Sequence, residues 1–203
     1  TLNILQSSLN SKIENFVHTS TSEVYGKSKI FPINENQPLV GQSPYSASKI
    51  GADQLAYSFY SSFNFPVRII RPFNTYGPRQ SLRAIIPTII SQVLYSDDEY
   101  IKLGSLKPKR DLTFIADTVN AFEAMLINNK INGEVINIGN GNNRSVNEIA
   151  KMMGGPTRRI DSVMEPRETL ADNSKAKKLL GWKPSVIIEE WIPSYKKSLG
   201  ISD

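Results

Sequence analysis

The chain has 203 residues, of which 39% are hydrophobic and 21% are charged, and a net charge of +5. These values are typical of a globular protein with one sizeable core. It has no cysteine and a single histidine, His18, which excludes disulfides and thiol catalysis and argues against a metal site or a Ser-His-Asp triad. The scattered arginines, the lack of an apolar run of about 20 residues and the lack of a signal peptide predict a cytoplasmic protein that binds neither nucleic acid nor membrane.

The first part of the chain predicts a strand, a long helix and a second strand. Residues 1–12 have the leucine spacing of a helix, 16–20 predict a buried strand, 45–64 an amphipathic helix and 67–71 a strand rich in β-branched residues. Strands separated by a long helix indicate a parallel sheet with right-handed crossovers and therefore an α/β fold.

The rest of the chain alternates between helix and strand signals. Residues 72–80 predict a loop because they contain two prolines and a glycine. Asp117 and Ser174 are predicted helix caps, and Ser145 with Glu148 forms a capping box. The further elements predicted are a helix at 85–95, strands at 100–103, 111–115, 134–138 and 158–163, and helices at 117–128, 145–153, 174–180 and 188–199.

Tyr45 and Lys49 lie one turn apart on the predicted helix that Ser43 and Pro44 begin. A lysine ammonium beside a phenol favours the phenolate, which is a usable base. The spacing alone is weak evidence, because a lysine also follows Tyr25 by four residues in a segment that does not predict a helix.

Polar side chains also follow the two predicted strands. Thr21, Ser22 and Glu23 come after the first strand, and Asn74 comes after the second. Because the carboxyl ends of neighbouring parallel strands share one crevice, we expect these groups and the Tyr–Lys pair to surround one small ligand.

Five segments, in this order, resemble the extended short-chain dehydrogenase/reductase family, specifically its nucleotide-sugar epimerases and dehydratases. The resemblance implies an α/β fold, a partial Rossmann-like parallel sheet with a smaller C-terminal substrate-binding region. Residues 1–80 would then belong to the NAD-binding domain, and 81–203 mainly to the nucleotide-sugar region, with 111–138 returning to the Rossmann sheet. The segments are Thr-Ser-Thr-Ser-Glu-Val-Tyr-Gly at 19–26, Pro-Tyr-Ser-Ala-Ser-Lys at 44–49, Arg-Pro-Phe-Asn-Thr-Tyr-Gly-Pro-Arg at 71–79, Arg-Asp-Leu-Thr-Phe-Ile-Ala-Asp at 110–117 and Ala-Asp-Asn-Ser-Lys-Ala-Lys-Lys-Leu-Leu-Gly-Trp at 171–182.

The family also begins with a glycine-rich turn that holds the dinucleotide pyrophosphate, and these 203 residues contain no such motif. We interpret residues 139–143 as a turn into the Ser145-capped helix. We therefore expect the chain to be the C-terminal part of a longer enzyme and to be inactive by itself.

The resemblance implies roles for individual residues. Tyr45 would remove the proton of the sugar 4-hydroxyl while NAD takes the hydride from carbon 4, and Lys49 would bind the nicotinamide ribose. Thr21 would hydrogen-bond the same hydroxyl, and Thr19 and Pro72 would line the nicotinamide.

The nucleotide diphosphate would be held by Asn74, Arg83, Arg110 and Arg167, since a guanidinium binds two phosphate oxygens at once. The alternative for each arginine is a structural ion pair, for example between Arg110 and Asp111 or Asp117.

Glu23 distinguishes the two main functions. A 4,6-dehydratase needs a carboxylate to remove the carbon-5 proton and expel water from carbon 6, whereas a 4-epimerase needs no second base. Ser22 stands where some sugar dehydratases have an aspartic acid. Three hypotheses therefore remain: an NAD-dependent 4,6-dehydratase, a 4-epimerase of the same fold, and a non-catalytic fragment that binds a nucleotide sugar or a partner.

Two further expectations concern packing. The resemblance implies a homodimer, formed through helices such as 1–10 and 45–63 across a two-fold axis. We expect His18 to face the core or a subunit interface, without a side-chain partner nearby.

Overall fold

A computed structural model describes residues 1–159 and 168–201 of the chain. Helices and strands alternate through this part, and none of its helices is both long and apolar enough to span a bilayer. The helices are α1 (Leu2–Asn10), α2 (Pro44–Phe63), α3 (Ile85–Tyr95), α4 (Ile115–Ile127), α5 (Val146–Met152), α6 (Ser174–Leu180) and α7 (Ile188–Ser198), with a 3-10 helix at Ser22–Tyr25. The strands are β1 (Phe16–Thr19), β2 (Val67–Pro72), β3 (Asn74–Tyr76), β4 (Ile101–Leu103), β5 (Lys109–Phe114), β6 (Val135–Ile138), β7 (Asn143–Ser145) and β8 (Thr157–Arg159).

The main sheet is parallel and has the strand order β1-β2-β6. Its register pairs Thr19 with Ile70 and Pro72 with Ile138, so the carboxyl ends of the strands lie at one edge. Helix α2 connects β1 to β2, and α4 lies between β2 and β6 in the chain. This arrangement confirms the predicted α/β fold with a parallel sheet.

Helix α2 begins and ends where its sequence signals indicate. The Ser43 hydroxyl accepts the backbone N–H of Ser46 at 3.1 Å, and the Ser46 hydroxyl accepts that of Ser43 at 2.9 Å, so the two residues cap each other. The helix ends at Asn64, which adopts the left-handed conformation with φ 51°. Its buried residues Ala56 and Phe59 pack with α1 and with the lower part of β2.

A second sheet has the strand order β3-β5-β7 and lies next to the end of β2. The prediction that residues 72–80 form a loop throughout is wrong, because Asn74–Tyr76 pairs in parallel with part of β5. Within residues 111–138, Val135–Ile138 lies in the main sheet, whereas residues 111–114, the second part of β5, lie in this second sheet.

The helix caps follow the predictions only in part. The Ser145–Glu148 capping box is confirmed, with Glu148 N 3.1 Å from Ser145 Oγ. The two other predicted caps are wrong. Helix α4 begins at Ile115 without a side-chain cap, and Ser174 is the first residue of α6 instead of its N-cap. The Asp117 carboxylate instead accepts the backbone N–H groups of residues 185 and 186 at 3.0 and 3.1 Å.

A hydrophobic core separate from the one between α1, α2 and β2 lies under the C-terminal helices. It joins α3, α5 and α7 to the short strands β4 and β5, and Trp191 packs against it through Tyr76. The predicted strand at 158–163 is present as β8 up to Arg159, and its remaining residues lie outside the described part of the chain.

Candidate active site

The turn after β1 presents two of the predicted catalytic side chains. The Thr21 hydroxyl accepts the backbone N–H of Glu23 at 3.2 Å and so caps the 3-10 helix. Within that helix Val24 and Tyr25 are buried, whereas Glu23 is exposed. The buried pair therefore anchors the turn and leaves the carboxylate on the surface.

Helix α2 meets the same end of the sheet. Lys49 Nζ donates a hydrogen bond of 2.8 Å to the carbonyl oxygen of Thr19, the last residue of β1. Tyr45, one turn earlier on the helix, is 50% exposed. The phenol is therefore accessible, and the ammonium is fixed at the strand end.

A cleft of about 500 Å³ opens beside this turn. It brings together five of the predicted site residues, which come from four separate segments of the chain. They are Ser22, Glu23, Asn74, Arg83 and Arg110. We call this the Glu23 cleft.

The remaining predicted site residues lie outside the lining of the Glu23 cleft. Thr19, Lys49 and Pro72 lie at the carboxyl ends of β1 and β2 or in contact with them. Thr21 precedes the 3-10 helix, and Tyr45 lies on the first turn of α2, between Ser43 and Ser46, which line the cleft. Arg167 lies outside the described residues.

The Glu23 cleft also contains residues that sequence reasoning missed. Thr169 donates from its hydroxyl to Asn74 Oδ1 at 3.2 Å and accepts the backbone N–H of Asp111 at 3.1 Å. A lone threonine in a polar segment gives no signal in the sequence, since its importance comes from contacts with two strands that lie far from it along the chain. The other missed lining residues are Gly26, Gln42, Ser43 and Ser46.

Asp111 organises the loops behind Arg110. Its buried carboxylate accepts backbone N–H groups from Asn140, Gly141 and Ala171 at 2.7, 3.0 and 2.9 Å. Burial raises the pKa of Asp111 to about 6, although the three hydrogen bonds oppose this rise. The carboxylate therefore holds three backbone segments together.

A buried carboxylate lies beneath the first turns of α2. Asp53 is 1% exposed, accepts a hydrogen bond of 2.8 Å from the Ser20 hydroxyl and pairs with Arg71 Nε at 3.0 Å. His18 Nε2 lies 3.3 Å from its other oxygen, so the expectation that His18 lacks a nearby partner is wrong. Burial opposes ionisation of Asp53, but the contacts with His18, Ser20 and Arg71 outweigh it and lower the pKa.

The same polar contacts continue to the 3-10 helix. Arg71 donates to the Tyr25 hydroxyl at 2.9 Å, and that hydroxyl donates to Asn137 Oδ1 at 2.7 Å. Burial raises the pKa of Tyr25, and the Arg71 charge opposes the rise. We call this group of six side chains the Asp53 network: His18, Ser20, Tyr25, Asp53, Arg71 and Asn137.

Two of the predicted cofactor-binding residues are accessible at the strand ends. Thr19 is exposed and Pro72 is partly exposed, and these small side chains end neighbouring strands of the main sheet. Ligands of open parallel sheets bind at this edge. The described residues contain no group of three acidic or histidine side chains placed to hold a metal ion.

Comparison with known proteins agrees with this geometry. The family model for GDP-mannose 4,6 dehydratase matches residues 1–195. The dTDP-D-glucose 4,6-dehydratase of Mus musculus is 33% identical over 193 residues, which cover 89% of this chain and 54% of the relative. An uncharacterised UDP-glucose epimerase of Bacillus subtilis (strain 168), YtcB, is 33% identical over 194 residues, which cover 92% of this chain and 61% of the relative.

Solved structures show the same likeness. The UDP-glucuronic acid 4-epimerase from Bacillus cereus, solved with UDP-glucuronic acid and NAD, matches with a TM-score of 0.86 and 32% identity. The match covers 98% of this chain and 66% of the epimerase. The chain spans between 54% and 61% of the length of the two curated relatives. It belongs to the nucleotide-sugar dehydratase and epimerase family of the extended short-chain dehydrogenases/reductases.

Proposed function

We propose that the protein containing this chain is an NAD-dependent nucleotide-sugar 4,6-dehydratase. The observation that supports this function best is the exposed Glu23 carboxylate in a cleft that also holds Asn74 and Arg110. A sugar bound there through its diphosphate would have an acid–base group beside its ring. Relatives with this activity, such as the mouse enzyme, support the proposal.

In the first step the chain would supply the base for the sugar 4-hydroxyl. Tyr45 accepts that proton, and the ammonium of Lys49 one turn away stabilises the phenolate. Thr21 hydrogen-bonds the same hydroxyl. Its oxygen already accepts the N–H of Glu23, so its own proton remains free to be donated to the sugar oxygen.

The edge formed by Thr19 and Pro72 is the proposed site for NAD. We propose that these two residues line the nicotinamide and that Lys49, held by the Thr19 carbonyl, also binds the nicotinamide ribose. When bound, NAD would accept the hydride of carbon 4 and would return it to carbon 6 after water has left.

Elimination would then depend on Glu23. The ketone at carbon 4 makes the carbon-5 proton acidic, and the Glu23 carboxylate removes it. The released electron pair forms the double bond between carbons 5 and 6 as the hydroxyl leaves carbon 6, and the protonated Glu23 gives its proton to this hydroxyl, which departs as water. Ser22, the neighbouring residue in the cleft, would hydrogen-bond the leaving hydroxyl.

We propose that the nucleotide diphosphate lies between Asn74, Arg83 and Arg110, with Arg167 as a fourth contact. The Thr169 hydroxyl fixes the Asn74 amide, which orients its N–H₂ group. The two described arginines outnumber the single carboxylate in the cleft lining, and this excess of positive charge suits a diphosphate.

We propose that residues 1–80 carry the cofactor and the catalytic groups, and residues 81–203 mainly the nucleotide sugar. The chain covers about half of its curated relatives. We therefore propose that the 203 residues alone are inactive. Isothermal titration should then show tight NAD binding only for the protein in its full natural length. Tight binding by the 203 residues alone would contradict this division.

A 4-epimerase of the same fold is the second candidate. It is favoured by Ser22, which puts a hydroxyl beside Glu23 where a stronger acid would assist the departure of water. The full-length protein should be incubated with UDP-, GDP- and dTDP-sugars and the products weighed by mass spectrometry. A product lighter by one water supports the dehydratase, and a product of unchanged mass with inverted carbon 4 supports the epimerase.

The variant Glu23→Gln sharpens this comparison. It should retain formation of the 4-keto sugar and lose the release of water, while Glu123→Gln, an exposed carboxylate on α4, should behave as wild type. Water loss at the wild-type rate by Glu23→Gln would contradict the role of Glu23. Tight nucleotide-sugar binding without any turnover would favour a non-catalytic protein.

We also propose a homodimer formed through α1 and α2. Both helices expose large apolar side chains, among them Ile4 at 63% and Phe63 at 57%, and the two helices pack against each other. Light scattering should give twice the monomer mass, and Phe63→Glu should shift it to one monomer. A wild-type monomer at micromolar concentration would exclude the dimer.

A further inference from the structure

Asp53 shares one face of α2 with the proposed catalytic residues. It follows Lys49 by four residues and Tyr45 by eight, which are one and two helical turns. Unlike them it is buried, and it lies against the end of the main sheet. Asp53 can therefore influence Tyr45 and Lys49 by holding the helix in place.

Two hydrogen bonds join α2 to the end of β1. Lys49 donates to the Thr19 carbonyl at 2.8 Å, and the Ser20 hydroxyl donates to Asp53 at 2.8 Å. Thr19 and Ser20 are consecutive in the chain, and Lys49 and Asp53 are one turn apart on α2. The two bonds therefore fix the position of α2 along its axis and its rotation about that axis. The next residue of the chain is Thr21, which begins the turn that carries Glu23.

The Asp53 network also reaches the far end of that turn. Arg71 pairs with Asp53 and donates to the hydroxyl of Tyr25, the last residue of the 3-10 helix. Tyr25 in turn donates to Asn137 on β6. The turn with Glu23 is therefore tied to Asp53 at both of its ends, once through Ser20 and once through Arg71.

We propose that Asp53 is a positioning residue, which holds Tyr45 and Lys49 in register with Thr21 and Glu23. Its carboxylate is the only described group that joins α2, the end of β1 and β2 through charge-assisted bonds. The turnover part of the inference rests on the proposed function, whereas the structural part does not.

The test compares two buried carboxylates in the full-length protein. Asp53→Asn keeps the size of the side chain but removes its charge from Arg71. Asp117→Asn does the same to a carboxylate that is 2% exposed and bonds Ser185 and Val186, away from α2. Ser20→Ala removes only the tie between β1 and Asp53, and so tests the same idea with a smaller change.

Hydrogen exchange measures position without any substrate. Asp53→Asn and Ser20→Ala should speed amide exchange over residues 43–53 by about 10-fold or more and leave α5 unchanged, whereas Asp117→Asn should affect the region around residue 185. Unchanged exchange over 43–53 in both Asp53→Asn and Ser20→Ala would overturn the proposal. This measurement remains decisive even if no nucleotide sugar is turned over.

The kinetic measurement separates positioning from general stability. Misplacing a catalytic group by about 1 Å can cost about 100-fold in rate, so kcat of Asp53→Asn should fall between about 10- and 100-fold while KM changes less than about twofold. Asp53→Glu, which restores the charge, should recover part of kcat, and Asp117→Asn should keep it. An equal loss of kcat in Asp117→Asn and Asp53→Asn would overturn the proposal.

Discussion

Lys49 Nζ lies 2.8 Å from the carbonyl oxygen of Thr19 and donates a hydrogen bond to it. The bond connects the first half of α2 to the last residue of β1. It limits the long lysine side chain to one position at the strand end, although four rotatable bonds would otherwise let it move. The ammonium is thus preorganised beside the place where a bound nicotinamide ribose is proposed.

Tyr45→Phe should abolish turnover while the nucleotide sugar still binds. Loss of the phenolic oxygen removes the proposed base, and a positioned general base contributes about 100- to 10,000-fold in rate. Turnover can be followed by mass spectrometry and binding by calorimetry. Tyr57→Phe is the matched control, since Tyr57 is 46% exposed on the same helix and its loss should leave the rate unchanged. Wild-type turnover by Tyr45→Phe would show that another group is the base.

Arg110→Lys should raise KM for the nucleotide sugar about 10-fold with little change in kcat. The lysine keeps the positive charge but cannot bind two phosphate oxygens in the planar arrangement of a guanidinium. Steady-state kinetics over a range of substrate concentrations measure both constants. Arg158→Lys, at an exposed arginine outside the Glu23 cleft, should change neither of them. An unchanged KM in Arg110→Lys would place the diphosphate elsewhere.

The pH dependence of stability should change in Asp111→Asn. Burial raises the pKa of Asp111 from 3.8 to about 6, so the folded chain binds this proton more tightly than the unfolded chain. The resulting stabilisation is complete below about pH 4 and is lost as the pH rises through 6, by about 3 kcal/mol. Urea unfolding between pH 4 and 7 gives the free energies of unfolding of wild type and of Asp111→Asn. The difference between them should change by about 3 kcal/mol over this range.

Glu148 supplies the opposite case for the same measurement. Hydrogen bonds from Ser145 lower the pKa of Glu148. The charged carboxylate therefore stabilises the fold at pH values above the usual pKa of glutamate, and this stabilisation is lost as the pH falls. The free energy of unfolding of Glu148→Gln, relative to wild type, should therefore change in the opposite direction to that of Asp111→Asn. If the difference in unfolding free energy between wild type and Asp111→Asn did not depend on pH, the Asp111 carboxylate would be charged over the whole range from pH 4 to 7.

Replacing each of two glycines by alanine should change the stability of the fold in opposite directions. A Cβ at Gly139 would lie 2.2 Å from the Ala171 Cβ and 3.1 Å from an Asp111 oxygen, so Gly139→Ala should destabilise the fold by about 1 to 3 kcal/mol. At Gly51 nothing lies within 4 Å, and the residue is in the middle of α2. Gly51→Ala should stabilise by about 0.5 to 1 kcal/mol. Thermal unfolding of both variants checks the signs, and a stabilised Gly139→Ala would contradict the packing described for Ala171.

Elements with local signals could be predicted from the sequence. The Ser43 cap of α2 and the Ser145–Glu148 box depend on bonds between residues three positions apart, so their pattern is visible in a short window. The sequence does not predict strand β3 because its partner β5 lies far along the chain, while the prolines and the glycine that flank it indicate a turn. Asp117 resembles a cap, but its partners are residues 185 and 186.

The part of the candidate site that depends only on the order of the strands could be predicted from the sequence. Glu23 and Asn74 share a cleft because they follow the carboxyl ends of neighbouring parallel strands, whereas Arg110 lies near the start of β5 and reaches the cleft because β5 pairs with β3. Thr169 and Asp53 could not be predicted, since each gains its importance from contacts with distant segments. In sequence Asp53 is a single acid within an amphipathic helix, and only the fold brings Ser20 and Arg71 to it.

The chain leaves the main sheet after Pro72 and enters the second sheet at Asn74, with the buried Phe73 between them. The proposed nicotinamide contact and the proposed diphosphate contact are therefore separated by two residues of extended backbone, roughly 7 Å. Covalent geometry thus sets the distance between the bound cofactor and the diphosphate of the bound nucleotide sugar. Adding or deleting a single amino acid at Phe73 would alter that spacing and also turn the following side chains to the opposite face.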